Sequence, residues 1–470
     1  MRAHQTQITI AAAGCLAAVA GLLLVSPAPK ALMLLGALVV FALAAIAFEY
    51  PLAIYAVLVV LLGLFSESSI DSLIPSNGRA WDGLVAGISP AEGLLALLVI
   101  AAVAEHLAEK KSHIVWPGVP ALAAATLVAA GVESAIAFHQ LKDGLHATQP
   151  SITLLLAIVT GYWLTHRYGS QRLLFWLVVT SALLLPQGLY NGLVLHKFSY
   201  YDASPIFLLG ICAILVAFRV VDLAAWRIPY LVLATVVIVL SLRRAAWIDI
   251  VVVLAITGIW SGRSGFRNAI ALVAGVVIVL ELVSPGIAFS QIEHAVKYTT
   301  GAQGREFSSD YRRWETANTW ANVQHHPLGG IGPSTDWTLY DSFGGRFRPY
   351  GFSYLHNSYI WVWLRFGLLG LVALVGLFVT SAWKLLGRRL PLESTIAGAM
   401  MAGLAIALYT ASFLTTTIRW PTTVGLLLGI GLAARSQGRS TEAMPIPAQP
   451  SNSVLGAEPS FTKTSSGPTA

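Results

Sequence analysis

The sequence carries very little charge for its length. Charged residues make up 11% of its 470 residues, whereas hydrophobic residues make up 56%. Because a soluble domain normally carries about a quarter charged residues, this composition excludes an ordinary soluble protein and indicates a polytopic membrane protein. The net charge of +7 comes mostly from loops between apolar segments, so it does not argue for nucleic acid as a partner.

Cysteine and the common catalytic motifs are also scarce. Cys15 and Cys212 both lie in apolar segments, far apart in the sequence, so neither a disulfide framework nor thiol chemistry is indicated. No carboxylate pair, metal-ligand cluster or glycine-rich phosphate-binding motif stands out, and His325-His326 alone is not a metal signature. We therefore expect no metal and no cofactor.

Apolar segments of nearly bilayer length are what the sequence has in abundance. A helix needs about 20 apolar residues to cross a bilayer, and about 14 segments approach that length. We predict an all-α polytopic membrane protein with about 12–14 transmembrane helices and one large polar loop. Transmembrane helices are expected in residues 1–284, which include the Arg243/Arg244 segment, and in 357–435. Residues 285–356 form the loop, and 436–470 form a disordered cytoplasmic tail rich in Pro, Ser and Thr.

Lysine and arginine predict the orientation of these helices. With the N-terminus in the cytoplasm, 12 Lys and Arg residues fall in segments placed inside and seven in short loops placed outside. Long loops translocate largely regardless of charge, so the polar loop is left out of this comparison. Both termini are therefore expected inside, in contact with the cytoplasm, and the polar loop outside.

The polar loop is too long to be an ordinary connection. Its first part, 293–324, is predicted to be helical. The turn 325–333, with sequence HHPLGGIGP, has three glycines and two prolines, so we expect its amides to be free to approach a ligand. The last part contains aromatic residues that either stack on sugar rings or form an interfacial belt. The candidate sugar contacts among them are Trp337, Tyr350 and Tyr354.

His356 is the candidate catalytic residue. It precedes Asn357 and Ser358, which are both good N-caps for the apolar helix that follows. The partial positive charge of a helix N-terminus disfavours imidazolium, and a neutral imidazole is what a general base needs. The alternative is a histidine that only satisfies local hydrogen bonds at a helix start.

Four arginines are candidate anion-binding residues. Arg243 and Arg244 interrupt an apolar run, where arginine is costly unless it lines a cavity or meets an anion. They either pair with Asp249 or bind an external anion such as a phosphate. Arg312 and Arg313 either join that anion site or form a solvated pair on the loop helix.

Three motifs, taken in order, resemble the O-antigen ligase and polymerase family of bacterial membrane glycosyltransferases. The first is SLRRAAW at 241–247, and the second is an arginine-bearing helix that enters HPLGGIG at 326–332. The third is HNSY at 356–359, which leads into GLLG at 367–370. The resemblance is specific over about residues 241–375.

This resemblance implies glycosyl transfer at the periplasmic face of the inner membrane, without a metal and with inversion at the anomeric carbon. The donor would be an undecaprenyl-diphosphate-linked saccharide, and the acceptor lipid A–core, a second lipid-linked chain or a glycoprotein. One of Arg243 and Arg244, with one of Arg312 and Arg313, would bind the lipid diphosphate. His356 would take the proton from the acceptor hydroxyl, and the polar loop would be periplasmic.

Two positions leave the correspondence open. Arg365 stands where members of the family often have an acidic residue, which weakens any transfer of acceptor identity; we expect it to pair with Glu281 or Asp249. The loop arginine aligns at either Arg312 or Arg313, and the Arg-x-x-Glu spacing favours Arg312.

A competing function is transport, for example by a flippase for the same lipid-linked saccharides. About 14 helices suit a transporter equally well, and arginines in a cavity would bind the diphosphate during transit. A transporter should, however, show charges or broken helices at mid-membrane in both halves. This sequence gathers its polar residues in one loop and beside it, which favours the transferase.

Overall fold

A computed structural model describes residues 49–64, 90–108, 117–189, 204–241, 244–283, 307–333, 355–387, 389–409 and 419–442. In these ranges the backbone forms α-helices and one short 3₁₀ helix, with no β-strand. The helices are α1 (Pro51–Leu64), α2 (Pro90–Ala108), α3 (Val119–Ala137), α4 (Leu141–Tyr168), α5 (Ser170–Leu189), α6 (Ser204–Ala217), α7 (Arg227–Leu240), α8 (Arg244–Trp260), α9 (Gly262–Val283), α10 (Phe307–His325), α11 (Ser358–Leu385), α12 (Leu392–Ala407) and α13 (Arg419–Glu442). The all-α prediction is confirmed for this part of the chain.

Two of these helices, α3 and α11, are long and apolar enough to cross a membrane. Several further helices are apolar but shorter, and they lie at Pro51–Leu62, Ser170–Pro186, Pro205–Ala217, Ala224–Leu240, Ala246–Trp260 and Leu392–Ala407. The predicted count of 12–14 crossings stays a prediction.

The surface of α11 shows what surrounds the molecule. Leu374 and Leu377 are fully buried, whereas Val372 and Val379, on the other side of the helix, are 58% and 59% exposed. A surface helix of a soluble protein is polar on its outward face. Here both faces are apolar, and an exposed apolar face of this kind suits lipid rather than water. The chain is therefore an integral membrane protein.

The helix pair α4 and α13 is held together by close backbone approach. A Cβ atom at Gly425 would lie 2.6 Å from the Leu154 carbonyl oxygen, and one at Gly161 would lie 2.5 Å from the Leu426 carbonyl oxygen. Gly425 and Gly429 are four residues apart, the small-xxx-small spacing that lets helix backbones meet inside a membrane. Elsewhere α11 packs between α3 and α12, and α8 packs on α12.

The end of α13 differs from the prediction. The disordered tail was predicted to begin at residue 436, but the helix continues to Glu442. The reason is a contact with the end of α4, where the Ser436 hydroxyl lies 3.1 Å from Nε2 of His166. A polar sequence is helical here because it packs against a neighbouring helix. The rest of the predicted tail, 443–470, lies outside the described residues.

The polar loop is described only in part. Its helix α10 and the turn that follows it are described through Pro333, and the chain is described again from Leu355. The helix confirms the prediction of helical structure in the first part of the loop, 293–324, from Phe307 onwards. The segments 284–306 and 334–354 lie outside the described residues.

Candidate functional site

The candidate site lies where the chain leaves the polar loop and enters α11. Asn357 is the N-cap of this helix, because its side-chain oxygen accepts the backbone N–H groups of Tyr359, at 3.1 Å, and Ile360, at 3.2 Å. Such a cap satisfies amides that have no partner within the helix. His356 is therefore held one residue before a well-defined helix start.

A buried carboxylate holds His356 on its other side. Oε2 of Glu315, on α10, lies 3.0 Å from Nδ1 of His356 and also accepts the backbone N–H of His356 at 3.1 Å. The Glu315 side chain is 4% exposed and the His356 side chain 27%. One carboxylate oxygen thus binds both the main chain and the ring of the same histidine.

This arrangement suits a histidine that accepts a proton. An ionised carboxylate can only accept hydrogen bonds, so the proton between the two side chains belongs on Nδ1 of His356. In the neutral imidazole the lone pair is then on Nε2, the other ring nitrogen. The geometry therefore provides a base at Nε2 whose ring orientation is set by Glu315.

A third element, α12, also holds the start of α11. The backbone N–H of Ser358 donates to the Leu408 carbonyl at 3.1 Å, and the hydroxyl of Tyr359 donates to the Ala405 carbonyl at 2.5 Å. The segment that carries His356 is thus fixed by α10 from one side and by the end of α12 from another.

The buried face of α10 is polar, which is unusual for a helix. Glu315, Asn318, Thr319 and Asn322 follow one another at helical spacing, and all four are at most 7% exposed. The hydroxyl of Thr319 and the amide of Asn322 donate to carbonyls four residues earlier. The Glu315 side chain reaches a residue of another segment, His356.

The turn after α10 fills a break in α11. Gly367 is non-helical, with φ of 69° and ψ of −170°, so the Leu364 carbonyl and the Leu368 N–H do not bond to each other as in a continuous helix. Instead, the Ile331 N–H donates to Leu364 at 2.7 Å, and Leu368 donates to the Leu328 carbonyl at 2.9 Å. The turn thus replaces the missing helical bond with two bonds of its own.

The expectation that the turn offers free amides to a ligand is wrong for two of its residues, Gly330 and Ile331. The Ile331 amide is used by α11, and the Gly330 amide donates to the His326 carbonyl at 3.1 Å. Gly330 and Gly332 have positive φ angles of 68° and 93°. A Cβ atom at Gly330 would meet the backbone of α11 at Leu364 and Gly367, and one at Gly332 would meet the side chains of Phe138 and Gln140.

Arg365 also connects α11 to the turn. Its Nη1 donates to the Gly332 carbonyl at 3.2 Å, and its own carbonyl accepts the hydroxyl of Ser134, on α3, at 2.8 Å. Arg365 was expected to pair with Glu281 or Asp249. The pairing with Asp249 is wrong, because the Asp249 carboxylate accepts no hydrogen bond within the part of the chain that the structure describes, and the pairing with Glu281 stays a prediction. Asp249 is fully buried and packs against Gly403 of α12.

The predicted anion-binding residues are only partly described. Arg244 is the first residue of α8, and Arg312 and Arg313 lie near the start of α10. For these three the structure describes the backbone alone. Arg243 lies outside the described residues, and so do the three candidate sugar contacts, Trp337, Tyr350 and Tyr354. Their roles stay predictions, as does the convergence of the arginines on one anion.

The role of Glu315 was not predicted from the sequence. In the sequence, Glu315 matters only through the Arg-x-x-Glu spacing that favours Arg312 over Arg313. The sequence nevertheless contains a signal that Glu315 is buried. Polar residues recurring at positions 315, 318, 319 and 322 define one face of a helix. A carboxylate on such a face indicates that it bonds to another residue of the same chain, but the sequence does not tell which one.

Comparison with known proteins places the site within one domain. Residues 229–375 match a protein-family model described as O-antigen ligase. The match begins in α7 and ends in α11, and it includes α10, the turn and His356. It confirms the resemblance found over about residues 241–375. A comparison with curated proteins found no match.

Proposed function

Because residues 229–375 of this chain form an O-antigen ligase domain, we propose that it is a glycosyltransferase of the bacterial inner membrane. It transfers an oligosaccharide or polysaccharide from undecaprenyl diphosphate to an acceptor, as a ligase or a polymerase does. The acceptor is lipid A–core, a second lipid-linked chain or a protein. The active site faces the periplasm, where the absence of nucleotide sugars requires a donor that carries its own activation.

The observation that supports this proposal most directly is the contact between His356 and Glu315. The two side chains meet at 3.0 Å, at the junction of the polar loop and an apolar helix, within the matched domain. A general base must be held in one orientation to receive a proton from the acceptor. The caps and contacts around His356 provide that constraint.

The reaction is a displacement at the anomeric carbon. Nε2 of His356 takes the proton of the acceptor hydroxyl as its oxygen bonds to the anomeric carbon. The bond from this carbon to the diphosphate oxygen breaks, and its electron pair leaves with the undecaprenyl diphosphate. Attack from the side opposite the leaving group inverts the anomeric configuration. Negative charge grows on the diphosphate as the bond breaks, so fixed cations lower the barrier.

The arginines are proposed to supply that positive charge. One of Arg243 and Arg244 and one of Arg312 and Arg313 bind the diphosphate, because guanidinium groups match phosphate oxygens in shape and charge. With this charge provided by the protein, the mechanism needs no metal ion. The saccharide is proposed to stack on aromatic residues of the loop. The candidates are Trp337, Tyr350 and Tyr354.

A transfer assay with His356→Ala tests the proposal. Membranes that contain the variant are supplied with the lipid-linked oligosaccharide, and the cleaved lipid diphosphate and the extended acceptor are both measured. Loss of a general base lowers kcat by about 10²- to 10⁴-fold, while the amount of bound donor stays the same. The control is His326→Ala, an exposed histidine of the adjacent turn, which should leave kcat unchanged. Full activity of His356→Ala would remove the general-base role.

The same assay separates transfer from transport. A flippase moves the donor across the membrane with the bond between sugar and diphosphate intact, so neither lipid diphosphate nor a new glycosidic bond would form. The break in α11 favours transfer, because its freed backbone groups bond to Leu328 and Ile331. Broken helices of transporters instead present such groups to the ion or substrate.

A further inference from the structure

We propose that Glu315 is a positioning residue for His356, which fixes the proton-accepting form of the imidazole. This inference rests on the proposed function, because it assigns Glu315 a role in the reaction through His356. Glu315 itself touches neither donor nor acceptor in this proposal.

The geometry of the contact restricts the imidazole ring. A single oxygen, Oε2, accepts both Nδ1–H and the backbone N–H of His356. The backbone bond fixes the oxygen relative to the main chain of His356, and the ring bond then fixes the rotation of the imidazole. Two bonds to one atom therefore leave the ring a single orientation, with Nε2 turned away from Glu315.

The burial of the carboxylate also favours a specific role. Glu315 is 3% exposed, and a buried charge is costly unless other groups bond to it. Thr319 and Asn322, on the same face, each donate one hydrogen bond to a carbonyl of α10. An amide or a hydroxyl can both donate and accept hydrogen bonds. A carboxylate is distinguished from them because it can only accept, and so it requires the proton on Nδ1.

The position of Glu315 along α10 connects it to the donor site. Arg312 lies three residues before it, and residues at this spacing occupy neighbouring positions on a helix surface. Arg313 is two residues away and does not share that side. The inference thus favours Arg312 as the donor-binding residue of the pair. The helix α10 then carries both the proposed diphosphate-binding residue, Arg312, and the residue that orients His356, Glu315.

A double-mutant cycle tests this inference in single-turnover assays with labelled donor. Glu315→Ala should lower the transfer rate by about 10- to 100-fold, the range found for groups that orient metal-binding histidines, without weakening donor binding. In the His356→Ala background the same substitution should have no further effect, because residues that act as a unit are not additive. A rate for the double variant that equals the product of the two single effects would overturn the inference.

Two further variants guard against a purely structural explanation. Thr319→Val removes a buried hydroxyl from the same face of α10 without touching His356, and it should keep the wild-type rate. Glu315→Gln preserves the shape of the side chain, but its amide can also donate and no longer fixes the proton on Nδ1. It should keep the wild-type unfolding temperature and lose about 10-fold or more in rate. A fully active Glu315→Gln would overturn the inference.

The outcomes also distinguish this inference from the proposed function. If His356→Ala is inactive and Glu315→Ala is fully active, the inference is wrong and the proposed function stands. If His356→Ala retains full activity, the general-base mechanism itself is wrong. These two failures are observed in different variants of the same assay.

Discussion

At the scale of single residues, the most demanding positions are glycines with positive φ. Gly367 has φ of 69° and ψ of −170°, a combination that residues with a side chain rarely adopt. A Cβ atom there would overlap the Leu328 carbonyl oxygen, and one at Gly330 would overlap the Leu364 carbonyl oxygen. The break in α11 and the turn that fills it therefore depend on two glycines that face each other.

Gly367→Ala is expected to destabilise the protein by about 1–3 kcal/mol, the usual cost of such a backbone conformation for a residue with a side chain. The measurement is thermal unfolding of the purified protein in detergent. Gly376→Ala, in the same helix, is the matched control, because a Cβ at that position meets no atom within 4 Å. The control should be neutral or stabilising by about 0.5–1 kcal/mol. Equal unfolding temperatures for the two variants would contradict this account.

At the scale of elements, the closest pairing is between α4 and α13. Gly425 and Gly429 face the backbone of α4, and Gly161 faces that of α13. Lipid offers apolar contacts as good as those between helices, so packing at small residues is what favours association. The same pairing explains why α13 remains helical beyond Arg435, along the end of α4.

Gly429→Ala should force these two helices apart, since its Cβ would overlap the Ile158 carbonyl oxygen. Overpacking of this kind costs about 1–3 kcal/mol, and it should be visible as a lower midpoint of thermal unfolding. The matched control is Gly93, a glycine of α2 at which an added Cβ atom would meet nothing within 4 Å. Gly93→Ala should therefore unfold at or above the wild-type temperature. A tolerated Gly429→Ala would show that the interface can separate without cost.

At the scale of the whole molecule, the distribution of Lys and Arg predicts which side each loop occupies. The end of α10 is expected outside, and the start of α9 is expected in the cytoplasm. Exposed residues are present in both places, Gln324 at the first and Ser264 at the second. These positions allow the orientation to be tested without disturbing the packed interior.

Labelling of single cysteines in intact cells tests this orientation. In a background with Cys15→Ala and Cys212→Ala, an impermeant maleimide should label Gln324→Cys directly. Ser264→Cys should be labelled only after the inner membrane is permeabilised. The reverse pattern would place the proposed active site in the cytoplasm. A cytoplasmic active site would contradict the proposal that the donor is bound on the periplasmic side, even if the His356 and Glu315 variants behave as expected.

The features that the sequence predicts well are local ones. Asn357 is predicted as a candidate cap because a cap depends on its immediate neighbours, and the position of His356, one residue before this cap, follows from it. The pairing of His356 with Glu315 was not predicted, since 41 residues separate them. The same holds for Gly330 and Gly367, each of which reads as an ordinary turn or helix glycine when taken alone.

One further contact of the fold, the pairing of α4 with α13, has a signal in the sequence. The four-residue spacing of Gly425 and Gly429 is a recognised signal for helix association in membranes. The expected pairing of Arg365 with Asp249 failed for a different reason. Charge complementarity does not specify distance, and Nη1 of Arg365 donates to the backbone carbonyl of Gly332.

The bonds between the turn and α11 also set an order in which the protein is made. The ribosome produces the turn more than 30 residues before Leu364 and Leu368, so the Ile331 amide and the Leu328 carbonyl have no permanent partners when they first emerge. They gain these partners only once the first half of α11 has been made. The turn therefore reaches its final bonds only after the first half of α11 has been synthesised, together with the segment that carries His356.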